Sequence, residues 1–123
     1  MVSDDGERQR WLDAYARHDL QISSFSCHGS PLMPDEQIAE LYRFQFRQVC
    51  ELMEKTGVRR MTLVAGLPEA AEGESSPAWI TQQTQEPNLS FWMNTLQWQW
   101  DQRLIPYWKE QGKIAADHGV TLC

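Results

Sequence analysis

His28 is the residue of this chain best suited, by type and neighbours, to do chemistry. It stands in Ser26-Cys27-His28-Gly29-Ser30-Pro31, where an extended run gives way to a turn. An imidazole at the end of a strand, beside a glycine, can contact substrate, ligate a metal or shuttle a proton. The same position also suits a histidine that only ties down the turn. Cys27 is a thiol with no recognisable partner base, so inert burial is the default reading. Trp79 either walls a pocket or anchors a long loop. The candidate substrate-binding set is therefore His28, Gly29 and Trp79, with no catalytic and no metal-ligating residue assigned. Trp98, Gln99, Trp100 and Trp108, on the third helix, read as packing residues. His18 and His118 read as helix-end caps, where an imidazolium favours the negative end of the dipole. Glu69, Glu72 and Glu74 read as a solvated acidic run. No His/Asp/Glu set has metal-site spacing, and no Gly-rich phosphate loop, Ser-His-Asp set or CxxC occurs.

A repeated punctuation mark reveals the elements that carry these residues. His18-Asp19-Leu20, Thr56-Gly57-Val58 and His118-Gly119-Val120 each follow an amphipathic stretch and precede an extended run. Glycine just past a helix takes the left-handed conformation cheaply, and Asp does so less well. The three are read as helix-to-strand junctions. The pattern predicts a first helix over 7–18 and a strand over 21–27. A second helix opens at Pro34-Asp35-Glu36 and runs to Gly57, with Ile38, Leu41, Tyr42, Phe46, Val49, Cys50 and Met53 at helical spacing. A strand over 60–65 is apolar enough to be covered on both faces. Residues 66–87 form a loop, far longer than the ~2–6 residues usual between strand and helix. A third helix over 88–118 carries Leu89, Trp92, Met93, Leu96, Trp100 and Leu104 on one stripe, with a kink or restart at Pro106. A last strand begins at Val120. The order α-β-α-β-α-β implies parallel strands joined by helical crossovers. Sites in such folds form at the carboxyl ends of strands, where His28 and the long loop fall.

Composition narrows the classes. The chain has 123 residues, 41% hydrophobic and 23% charged, with six tryptophans and a net charge of −6. An acidic chain without a basic stripe is a poor nucleic-acid binder. Three cysteines at unrelated spacings suggest reduced thiols. The polar start MVSDDGERQR is unlike a signal peptide, and no run approaches a membrane span. The expectation is a cytoplasmic protein with no membrane or nucleic-acid partner.

Several segments, in order, resemble one family. Ser26-Cys27-His28-Gly29-Ser30-Pro31-Leu32-Met33-Pro34-Asp35 is similar to the SCHGNPLHPD-type segment of the sugar phosphate isomerase/epimerase proteins, members of the xylose-isomerase-like TIM barrels. Gly66-Leu67-Pro68 and Pro77-Ala78-Trp79 resemble that group's GCPG and PNW segments. Leu96-Gln97-Trp98-Gln99-Trp100 and Leu104-Ile105-Pro106-Tyr107-Trp108 resemble its EWQW and IPYW segments, and His118-Gly119-Val120 its HGV. The chain departs from the pattern at Ser30, Met33 and Glu69. The resemblance implies an α/β fold in which residues 1–123 form a partial (β/α)8 TIM barrel, from the end of helix one to the start of strand four. It carries a pocket role over to His28. It also implies that the divalent metal of the full family is held by residues not present in this chain.

The expectation is a piece of a metal-dependent sugar phosphate isomerase/epimerase, inactive alone, whose full-length relatives take a sugar or sugar phosphate. The alternative is a non-catalytic module binding a carbohydrate or a partner chain. A DNA-repair nuclease of the same superfamily would need metal ligands and a basic surface, and the sequence shows neither. Exposed strand edges would make the isolated chain poorly stable and open to self-association.

Overall fold

The computed structural model describes residues 2–79 and 90–123. The parts of the expected loop and third helix that fall on 80–89 lie outside the described residues. Two compact units form: Met1–Gly29 with Phe44–Val64 and Gln111–Cys123, and Ser30–Arg43 with Ala65–Glu110.

The first unit is built on a three-stranded sheet. Helix α1 (Asp5–Ala16) precedes strand β1 (Phe25–Cys27), helix α2 (Glu36–Thr56) precedes β2 (Arg60–Leu63), and a last helix precedes β3 (Thr121–Leu122). The strands run parallel in the order β1-β2-β3, with Phe25 opposite Met61 and Met61 opposite Leu122. The sequence order required this, because each connection contains a helix.

All three expected junctions are present. Asp19, Gly57 and Gly119 adopt positive φ of 53°, 75° and 67°. At two of them the last helical carbonyls are closed in the same way. Leu20 N–H reaches Tyr15 O and Asp19 N–H reaches Ala16 O; Val120 N–H reaches Ala115 O and Gly119 N–H reaches Ala116 O. This pair of bonds satisfies carbonyls that a helix end otherwise leaves open.

The helix starts were also encoded locally. Asp4 caps α1 by accepting from Glu7 N–H at 2.8 Å, which moves the start two residues ahead of the expected position. Asp35 caps α2, accepting from Gln37 N–H at 3.0 Å and Ile38 N–H at 3.2 Å.

Packing corrects two expectations. Strand β2 is covered on one face rather than both: Met61 is fully buried, while Arg60 and Thr62 are exposed. Alternation along a strand sends neighbours to opposite faces, so an apolar run does not by itself mean two-sided cover. On α2 the buried set is Ala39, Phe46, Cys50 and Met53, whereas Leu41 is 53% exposed and Ile38 is exposed too. Helical spacing fixed the period of that stripe, but its apolar members extend past the covered face. Val58, Ala115 and Val120 complete the buried apolar residues of the first unit, and Trp11 meets Tyr15 and Phe25 edge-on at 5.1 and 5.9 Å.

The second unit contains α3 (Ser90–Gln99), a π-helical turn (Trp100–Leu104) and the start of α4 (Ile105–Asp117). The expected break at Pro106 takes this form. Proline cannot donate to the carbonyl four residues back and crowds it, and the wider π turn ends with Ile105 N–H bonding Trp100 O instead. The single stripe expected here is also corrected. Leu104 is buried, but Gln99 takes the inward place beside it and Trp100 stays 43% exposed.

Candidate functional site

The carboxyl ends of the strands bear the candidate site. In the first unit β1 ends at Cys27 and passes directly into His28 and Gly29. Phe25 and Cys27 lie on the face that meets helices: Phe25 touches Trp11 of α1, and Cys27 is close enough to Cys50 of α2 to raise its pKa. Alternation then places Ser26 and His28 on the opposite, open face. Both are exposed, and Gly29 is buried. Thr62, Val64, Thr121 and Cys123 are exposed with them, giving the open side a small, mostly uncharged surface.

The neighbouring thiols are chemically quiet. Burial pushes the Cys27 thiol up. Burial, with Cys27 as the lesser cause, pushes Cys50 up to about 11. A nucleophilic cysteine needs the reverse shift, so Cys27 is a packing residue.

The second unit supplies the loop that follows β2. Glu69 and Pro77 form an antiparallel bridge, and Ala78 N–H donates to Pro68 O at 2.9 Å. Gln99 of α3 holds this loop from below. Its Nε2 donates toward three main-chain oxygens, Glu69 O at 3.0 Å, Ala78 O at 3.2 Å and Pro68 O at 3.3 Å. Arg103 pairs with Glu69 at 2.7 Å and lies 4.9 Å over the Trp98 ring. Trp108 Nε1 donates to Ala65 O at 2.7 Å. The acidic run is therefore not uniformly solvated: Glu72 and Glu74 are exposed, but the Glu69 side chain is only 12% exposed inside an ion pair. Trp79 closes the described loop at 72% exposure. It belongs to the second unit, whereas His28 and Gly29 belong to the first. His118 pairs with Glu54 at 2.6 Å across the end of α2, in addition to standing at a helix end.

Gln99 was read as a packing residue, and reasoning on titratable side chains missed its hydrogen bonds to the loop. The one signal for it was its place between two tryptophans, where a carboxamide has to find buried partners.

An open cleft of about 350 Å³ lies elsewhere, lined by Leu12, Tyr15, Leu20, Ile22, Val58 and Arg59. These residues precede β1 and β2, so the cleft is at the amino ends of the strands. Ligands of parallel α/β sheets bind at the other end, and the cleft presents no imidazole or carboxylate.

Among the described residues no group of three or more His, Cys, Asp or Glu side chains is arranged to hold a metal. The strand ends offer a single imidazole. Also among the described residues, no helix is long and apolar enough to cross a membrane.

Among known proteins, the chain is 28% identical over 120 residues to the uncharacterized protein YfiH of Bacillus subtilis (strain 168), an alignment covering 98% of this chain and 37% of that protein. The chain thus spans little more than a third of its relative's length. No family model matches, and no solved structure matches.

Proposed function

We propose that this chain is a strand–helix segment of a sugar phosphate isomerase/epimerase of TIM-barrel type, with His28 as a substrate-binding residue. The observation that carries the reading is His28 itself: an exposed imidazole one residue past the carboxyl end of a strand in a parallel sheet. The ordered motif resemblance across the chain supports it. So does the open sheet face, which has the alternation expected where further strands complete a barrel.

The reaction class is proton transfer at the carbon next to a sugar carbonyl. A base removes that proton, an enediolate forms, and the proton returns to the other carbon or the other face. His28 donates or accepts a hydrogen bond to a sugar hydroxyl, fixing which carbon faces the base. Trp79 is the second substrate-binding candidate, an exposed indole able to stack on the apolar face of a sugar. The acid–base carboxylates and the divalent metal that the resemblance implies are supplied by other parts of the longer protein.

The test is solvent exchange followed by proton NMR in D2O. A longer polypeptide containing this segment, given Mn2+ and a panel of ketose and aldose phosphates, should exchange the proton next to the carbonyl. The 123-residue chain alone should not. His28→Ala in the longer protein should lower kcat/KM about tenfold or more, as loss of one substrate hydrogen bond implies. Absence of exchange with every member of the panel would sink the reading. A second reading, a non-catalytic module for a carbohydrate or partner chain, draws on the exposure of Trp79. Binding of a sugar without any exchange in the longer protein would favour it.

A further inference from the structure

We infer that Gln99 is a positioning residue, the post that sets the conformation of the loop after β2 and through it the place of Trp79. The inference rests on the reading of Trp79 as a pocket wall but is tested separately from it.

The geometry is unusual for a glutamine. Gln99 is 4% exposed and is the one buried polar residue among the described positions. Its amide nitrogen points into the loop, where the carbonyls of Pro68, Glu69 and Ala78 converge on it. Those three residues lie at the two ends of the loop's closed part. One side chain therefore ties the outgoing strand of the loop to the returning one. A carboxamide has two N–H groups and no charge. Its two N–H groups serve the converging carbonyls without needing a counter-ion, with Pro68 O also accepting from Ala78 N–H. A carboxylate of the same size would meet three negative dipole ends, and an apolar side chain would take the donor away from Glu69 O and Ala78 O, leaving Pro68 O only its bond from Ala78 N–H.

The main-chain links inside the loop are few. The Ala78–Pro68 bond and the Glu69–Pro77 bridge are adjacent to the Gln99 contacts, and residues 71–77 are exposed. The π turn begins at the next residue, Trp100. It brings Arg103 to the Glu69 carboxylate as well, so two side chains four residues apart hold the same residue, one by its main chain and one by its side chain. Trp79 follows Ala78 directly, so any release of the Ala78 carbonyl moves the indole.

The first measurement needs no variant. In the wild-type chain the Gln99 side-chain amide protons should exchange with solvent at least about tenfold more slowly than those of exposed Gln37 and Gln45. Equal rates would overturn the inference. The second uses Gln99→Glu, which preserves size. Its carboxyl regains one donor when protonated, so protection of the Ala78 amide, corrected for intrinsic rate, should be weak at pH 8 and partly restored at pH 5. Wild type should show no such change. If size alone mattered, Gln99→Glu would protect Ala78 like wild type at both pH values, and the inference would fall. The Trp79 indole resonance should shift with the same pH dependence, and an unmoved indole would also count against it. Binding of fructose 6-phosphate to the longer protein is read independently. A pH-dependent loop without any such binding leaves the post in place and removes the sugar reading.

Discussion

Between β1 and α2 two thiols meet, and burial makes both poor nucleophiles. The consequence is measurable. With iodoacetamide at pH 8, exposed Cys123 should be modified first, half-buried Cys27 later and buried Cys50 last. The order is read by mass mapping of the folded chain, and labelling of Cys50 as fast as Cys123 would contradict this packing. At the scale of single residues the sequence was partly legible. His28 declared itself because residue type and immediate neighbours, an imidazole followed by a glycine where an extended run ends, are enough to mark a strand-end position. Gln99 did not, because its role depends on three carbonyls contributed by residues some twenty to thirty positions away, Ala78 at |i−j| of 21 and Pro68 at 31. Nothing in a glutamine's immediate neighbours announces such partners. Glu69 was read as solvated for the same reason: its cation, Arg103, lies 34 residues on.

Elements were more legible than side-chain partners, since their ends are fixed by local chemistry. The three junctions at Asp19, Gly57 and Gly119 followed from residue type alone. Asp19 does with strain what glycine does freely, so Asp19→Gly should raise stability by about 0.5 kcal/mol in urea unfolding. Gly119→Ala should lower it by about 1 kcal/mol or more, since an L residue resists its φ of 67°. A neutral result at Gly119 would show that the turn relaxes to another conformation. The first helix adds a pH dependence. The backbone hydrogen bond from Glu7 to the Asp4 carboxylate, as the largest cause, lowers the Asp4 pKa from its ordinary value of 3.8. A carboxyl whose folded pKa is depressed stabilises the fold fully above its unfolded value. That contribution is lost as pH falls below 3.8 and through the lower folded value. Thermal melts between pH 2 and 6 should therefore show an acid-side loss that Asp4→Asn reduces, because asparagine caps without titrating. Identical acid profiles for both proteins would mean that the cap contributes nothing to acid sensitivity. The failures at this scale were of extent. Strand β1 is shorter than the expected 21–27, and β2 ends at Leu63 rather than 65. Strand ends depend on pairing with a neighbour, which residue preference cannot supply.

For the chain as a whole, the parallel order of strands was readable and the cover on its faces was not. Alternation of helical and extended runs forces parallel pairing, but whether a second face is buried depends on what else packs there. Here one face of the sheet meets helices, and on the other Ser26, Thr62, Thr121 and Cys123 are exposed. Strands β1 and β3 lie at the two edges, with backbone donors and acceptors that no strand among the described residues pairs on the outer side. Such edges recruit other strands. The isolated 123-residue chain should therefore associate as its concentration rises, seen as a growing apparent mass in sedimentation or size exclusion. Thr62→Lys, placing a charge at the centre of the open face, should shift this equilibrium toward monomer without lowering the melting temperature. The two readouts separate the causes. If the lysine suppresses association, the open face is the contact. If association persists with the lysine in place, strand addition at the edges is the route. A chain that stays monomeric at all concentrations and melts sharply at high temperature would mean that the exposed face and edges are already stable in water.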